Sequence, residues 1–121
     1  MTQSVKGITW VVDFLSTVDA LQDREKITKF LVETPRKVGL QAIPETLVIY
    51  AGEHWSGWTG VIVLQESHLA IHTWPEAVYG HVELSSCKAT GKVGEGLLEA
   101  LRATFPAFAV IRMHKVDWDN G

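Results

Sequence analysis

Cysteine is nearly absent: Cys87 stands alone among 121 residues, which excludes an internal disulfide framework and suits a reducing compartment. No apolar run approaches the roughly 20 residues of a membrane helix, so no membrane association is expected. No lysine–arginine run or basic stripe occurs and the formal net charge is -3, so the electrostatic footprint of a nucleic-acid partner is missing. The opening segment Met1 to Lys6 lacks the apolar stretch of a secretory signal, which makes a cytoplasmic location the expectation. There is no linker, repeat or low-complexity segment, and this length suits a single domain spanning residues 1–121. The hydrophobic and charged fractions, 46% and 21%, are ordinary for a globular protein. What stands out is five tryptophans and five histidines, several of them close together.

Periodicity places the elements. Gly7 to Phe14 alternates, with Ile8, Trp10, Val12 and Phe14 on one face, and reads as a strand. Asp19 to about Val38 reads as one helix with Leu21, Ile27, Phe30, Leu31 and Thr34 inward. Pro35 should kink or end it, and Gly39 is a plausible stop. Strands are expected over 46–50, 59–65, 68–73 and 79–85, with a glycine- and aromatic-rich loop over 51–58. Lys92 to Phe105 reads as a second helix and Ala109 to Lys115 as a last strand. The order β-α-β-β-β-β-α-β predicts an α+β two-layer sandwich, a mainly antiparallel sheet with two helices on one face.

The stretch from Gln65 to Glu76 concentrates two histidines, two carboxylates, a hydroxyl and an indole between apolar runs. His68 and His72 could share a zinc ion on a helix. The alternating Leu69 and Ile71 argue for a strand, on which the two histidines lie about 13 Å apart, too far for one ion. No metal site is therefore expected. Taken singly the other residues are bland. Ser67 after Glu66 suits a turn, Cys87 suits a small buried hydrophobe, Thr59 suits a strand opening, and tryptophans at 55, 58 and 74 suit packing.

Together they match a family. Glu66-Ser67-His68-Leu69-Ala70-Ile71-His72-Thr73-Trp74-Pro75-Glu76 resembles the processing-site signature of the bacterial and archaeal S-adenosylmethionine decarboxylases. Tyr79, Glu83 and Cys87 fall where that family places Tyr, Asp and Cys, and Thr59-Gly60 matches its Ser-Gly pair. The strong match covers residues 59–87; beyond it only the order of elements agrees. The resemblance implies a proenzyme that cleaves itself between Glu66 and Ser67 into residues 1–66 and 67–121. The Ser67 hydroxyl would attack the Glu66 carbonyl, with Thr59 steadying the oxyanion and His72 then acting as base. Ser67 would become a pyruvoyl group that forms a Schiff base with the substrate amine and replaces pyridoxal phosphate as electron sink. Cys87 would supply the proton after carbon dioxide leaves. Glu76 matches the family's ribose contact, and Leu69 and Ile71 are assigned with it to the substrate pocket. The expected assembly is a homodimer of processed protomers sharing the site at their interface, with Trp55, Trp58 and Trp74 as candidates for the seam.

The departures concentrate around the substrate. Gly7-Ile8-Thr9 replaces the family's Gly-x-His and Cys87-Lys88 its Cys-Gly. Glu53 occupies the position of a phenylalanine that stacks on adenine, with Trp55 two residues on. A carboxylate there suits a guanidinium or ammonium group, so arginine or ornithine decarboxylation is the alternative to S-adenosylmethionine. A non-catalytic regulatory homologue is a second alternative, opposed by the intact Ser67, His72 and Cys87.

Overall fold

Period-two alternation builds the sheet. In β1 (Lys6–Leu15), Trp10, Val12 and Phe14 are buried on one face while Thr9 and Val11 look out from the other. This strand pairs antiparallel with β5 (Tyr79–Ser86) on one side and β6 (Ala109–Asp119) on the other. The sheet continues through β4 (Ser67–Trp74) and β3 (Trp58–Leu64) to β2 (Val48–Ala51), giving the order β2-β3-β4-β5-β1-β6 with every neighbour antiparallel. The computed structural model describes residues 3–88 and 92–121; Met1 and Thr2 of the opening segment lie outside them.

One face is covered by α1 (Val18–Gln22), α2 (Arg24–Lys37) and α3 (Val93–Thr104), and the expected α+β two-layer sandwich is what forms. The helix expected over 19–38 is two helices. Asp23 breaks it because its carboxylate accepts the amide hydrogens of Glu25 at 3.0 Å and Lys26 at 3.2 Å, an N-cap that starts α2 anew. Pro35 does not end α2, which runs on to Lys37. It stops at Gly39, whose φ of 78° lets the Leu40 amide reach back to the Pro35 carbonyl at 2.8 Å. The second strand begins two residues late because Pro44–Thr46 winds into a 3-10 turn. The last strand runs four residues further than expected because Lys115–Asp119 pairs with the start of β1.

The core lies between sheet and helices. Ile27, Phe30 and Leu31 of α2 and Leu97 and Leu101 of α3 meet Ile62, Leu64, Leu69, Ile71, Val82 and Leu84 of the sheet. Each such aliphatic side chain contributes about 1.5–3 kcal/mol by leaving water. Among the described residues, the opposite sheet face has no helix. By strand register it carries His68, Ala70, His72 and Trp74 of β4 beside Tyr79, His81, Glu83 and Ser85 of β5. Toward its edges stand the exposed Tyr50, Val48, Val116 and Val63. Among the described residues, no helix is long and apolar enough to cross a membrane.

Candidate active site

Two groups of side chains form at opposite ends of β4. The first surrounds the tight turn between β3 and β4. Glu66 sits there at φ 55°, a left-handed conformation that costs a residue with a Cβ about 1–2 kcal/mol. Ser67 opens β4 with its Oγ 3.0 Å from the Gln65 carbonyl and 2.7 Å from the Oγ of fully buried Ser86. The Cys87 thiol lies 3.6 Å from a Glu66 carboxylate oxygen and Lys88 Nζ 3.7 Å from the same atom. A cavity of about 290 Å³ opens beside Cys87, lined also by Gly7, Ile8, Asp117 and Trp118.

The second group stands at the far end of the strand. Thr59 Oγ1 is 3.1 Å from His72 Nδ1, because β3 and β4 pair these residues directly. The Trp74 indole stacks on the His72 ring with centroids 5.9 Å apart and on Tyr79 at 5.1 Å. After Pro75 ends β4, Glu76 turns back to the loop before β3, where its two oxygens accept the Ser56 amide at 2.8 Å and the Ser56 hydroxyl at 3.0 Å. The Ser56 amide, more than any other contact, holds the Glu76 carboxyl below its ordinary value. Gln22 of α1 steadies the loop through a 2.9 Å bond to Ser56. Gly57 is needed there, since a Cβ would sit 1.8 Å from the Thr73 carbonyl oxygen. Glu53 and Trp55 lie exposed in the same loop.

Level with His72, a charged network crosses the open face. Asp13 of β1, 5% exposed, accepts the Tyr79 hydroxyl. It also meets His81 Nδ1 at 2.7 Å and Arg112 at 3.6 Å. Burial pushes the Asp13 carboxyl up, but Tyr79, His81 and Arg112 outweigh it and hold the group below its ordinary value. Burial and the bond to Asp13 push the Tyr79 hydroxyl up to about 12. Burial lowers the pKa of His72, and His81 adds to that against an opposing pull from Glu83. Sequence reasoning passed over Asp13 and His81. Alternation alone marks them as outward polar positions, and only the register shows that they meet.

The expected site residues are thus only partly gathered. Glu66, Ser67 and Cys87 are together, and Thr59 meets His72, while Glu76 lies past the same end of β4 in contact with Ser56. The two sets are five residues apart along β4, about 16 Å at strand rise. Strand parity also turns Ser67 toward the helices and His72 toward the open face. Leu69 and Ile71, expected at the substrate, are both 0% exposed in the core, since the same parity points them at α2 and α3. Trp58 is not on the open face either: its indole N–H donates to the Gln22 carbonyl at 2.8 Å and Arg24 lies over its ring. Trp74 is on that face.

Comparison with known proteins gives concordant findings. A family model described as S-adenosylmethionine decarboxylase matches residues 8–114. The S-adenosylmethionine decarboxylase proenzyme of Caldicellulosiruptor saccharolyticus is 38% identical over 69 residues, covering 57% of this chain and 53% of that protein. That of Methanococcus maripaludis is 40% identical over 70 residues, covering 56% and 53%. The chain spans about half the length of these curated relatives. Among solved structures, the adenosylmethionine decarboxylase of Aquifex aeolicus superposes with a TM-score of 0.73 at 23% identity, covering 94% of this chain and 89% of that one. That likeness speaks to fold.

Proposed function

The chain belongs to the S-adenosylmethionine decarboxylase family, and on that premise we propose that it is a precursor that cuts itself between Glu66 and Ser67 to become a pyruvoyl-dependent decarboxylase. The observation that carries the proposal is the strained Glu66 backbone, φ 55°, immediately before a serine hydroxyl and beside the Cys87 thiol. Ser67 Oγ attacks the Glu66 carbonyl carbon. The ester C–O bond forms as the amide C–N bond breaks, and the hydroxyl proton passes to the freed amine. Relief of the left-handed conformation favours this step. His72 then takes the Ser67 α-proton, the Cβ–Oγ bond breaks, and Glu66 leaves as a carboxylate terminus. The enamine left at position 67 takes up water and releases ammonia, leaving a ketone. Ser67, at the end of a strand and bonded to buried Ser86, fits this fate, because its terminus can separate without unzipping β4. Once formed, the pyruvoyl group supplies an electron-withdrawing ketone. Cys87 holds a proton at Sγ next to that terminus and faces the neighbouring cavity. Glu76, whose oxygens already accept a hydroxyl and an amide from Ser56, is suited to accept the paired hydroxyls of a ribose in their place.

One protomer does not close this site, because its own His72 stands about 16 Å from its Ser67 and a base must come within about 3 Å. A second copy stacked on the open sheet face, related by a two-fold axis near the middle of β4 and β5, would bring each Thr59–His72 pair to the end of the other copy's β4 that carries Glu66, Ser67 and Cys87, where Ser67 must turn out from Ser86 to meet it. The apolar Val48, Tyr50, Val63 and Val116 exposed on that face support burial against such a copy. The proposed enzyme is therefore a homodimer with shared sites.

S-adenosylmethionine is the substrate this reading favours. The exposed carboxylate of Glu53, in the loop held by Glu76, keeps a basic amino acid, arginine or ornithine, as the second reading. A denaturing gel tests processing: two fragments are expected from the parent chain and one full-length band from Ser67→Ala, and two fragments from that variant would overturn the assigned bond. Release of labelled carbon dioxide from each substrate tests the rest, and turnover of arginine but not of S-adenosylmethionine would reverse the order of the readings.

A further inference from the structure

We propose that His81, clamped by Asp13, is a positioning residue for His72 that sets the ring and the charge of the processing base. The inference rests on the assignment of His72 as that base. Register places the two imidazoles directly across β4 and β5, with ring centroids 6.1 Å apart. Trp74 stacks against His72 at 5.9 Å, and Thr59 engages its Nδ1 at 3.1 Å. Three neighbours thus fix the plane of His72 and leave Nε2 as the nitrogen to receive a proton.

His81 is fixed in turn. Its Nδ1 donates to Asp13 at 2.7 Å and its Nε2 lies 3.9 Å from Glu83. Asp13 is anchored by the Tyr79 hydroxyl and by Arg112. The remaining titratable side chains that register directs to this face are Tyr50 of β2, His68 of β4 and His114 of β6, and Thr9 and Ser85 add hydroxyls. Whenever His81 carries a proton, its charge opposes a second positive charge on His72, adding to the effect of burial and acting against Glu83. A base that must begin unprotonated gains working range toward low pH from such a neighbour.

The test compares freshly translated precursor and its His81→Gln and His81→Lys variants, following cleavage on denaturing gels from acid to alkaline pH. In the Ser67→Ala precursor, which stays intact, the His72 imidazole is titrated by nitrogen-15 NMR with and without His81→Gln. In His81→Gln, the acid limb of the cleavage profile is expected to move to higher pH and His72 to titrate at higher pH. In His81→Lys, which keeps a cation in place, the limb is expected to return toward the parent profile. A uniform loss of rate with an unmoved limb and unmoved His72 titration would overturn the proposal. Dispersion of the same spectra reports whether each variant folds. If the parent chain cleaves at no pH, the processing assignment fails, while the NMR arm still decides whether His81 governs His72.

Discussion

Two inactive variants should repair each other. Ser67→Ala removes the bond-breaking hydroxyl but keeps His72; His72→Ala removes the base but keeps Ser67. Within one chain the two groups are separated by five residues of continuous strand, about 16 Å. No rotamer spans that distance, and shortening it would mean dismantling the pairing of β4 with both β3 and β5. If the base comes from the partner, a mixed dimer has one complete site: Ser67 of the His72→Ala chain against His72 of the Ser67→Ala chain. Random pairing at equal expression makes about half of the dimers mixed, and one chain in each is cut, so about a quarter of all chains should appear as fragments. Co-expression of the variants with tags of different mass, read on a denaturing gel, gives that fraction and identifies the chain cut. Fragments should derive from the His72→Ala chain alone. Absence of cleavage in the mixed sample, with parent chain processed in parallel, would refute the argument from strand spacing.

Other consequences are simpler to measure. Glu66→Gly in the Ser67→Ala background should stabilise the uncut chain by about 1 kcal/mol, because glycine accepts the left-handed backbone freely; thermal melting should rise by several degrees, and an unchanged or lower midpoint would argue against strain at the scissile bond. Leu69→Ala should cost about 2–5 kcal/mol in denaturant unfolding as a core cavity, whereas near-parent stability would return Leu69 to the substrate. Asp13 has its folded pKa below the unfolded value of 3.8, so its contribution is present above that value and is lost as pH falls through the folded one. Asp13→Asn should therefore lower stability at pH 7 and flatten its fall as pH drops below about 4, and an acid limb as steep as the parent's would contradict the network around it.

Much of the layered architecture was legible because the signals are local. Alternation in Gly7 to Phe14 and the helical face of Ile27, Phe30 and Leu31 each point to one buried side. Misreadings arose where side chains compete with the backbone: Asp23 restarts a helix that periodicity treats as continuous, and Pro35 is tolerated because it lies within the last turn of α2. The site was legible as a list of residues and illegible as a place. Parity already put Ser67 and His72 on opposite faces, but a motif contiguous in sequence invites the assumption of contiguity in space. Leu69 and Ile71, expected at the substrate with the same motif, alternate with His68 and His72 and so face the core instead. The Asp13–His81 contact joins residues 68 positions apart, and no local pattern encodes it.

That geometry also explains why twelve consecutive residues can carry two different halves of one chemistry. A strand of eight residues spans about 26 Å, far longer than any active site is wide. A single copy can therefore use its two ends only as separate half-sites. In the proposed dimer, two-fold stacking would turn the defect into a constraint, since each end of one β4 would lie over the opposite end of the other. Processing, on this account, waits for dimerisation, so a chain that has not found its partner keeps an intact backbone through Ser67. The hydrogen bonds from Ser56 to Glu76 sit at the far end of β4, where they tie the loop containing Glu53 to Glu76, away from the bond proposed to be cut. Changes in that loop can then alter which substrate is accepted without disturbing the chemistry of cleavage. The sequence has that pattern: the stretch resembling the family's processing motif is kept, and Glu53 stands where the resemblance puts an adenine-stacking ring.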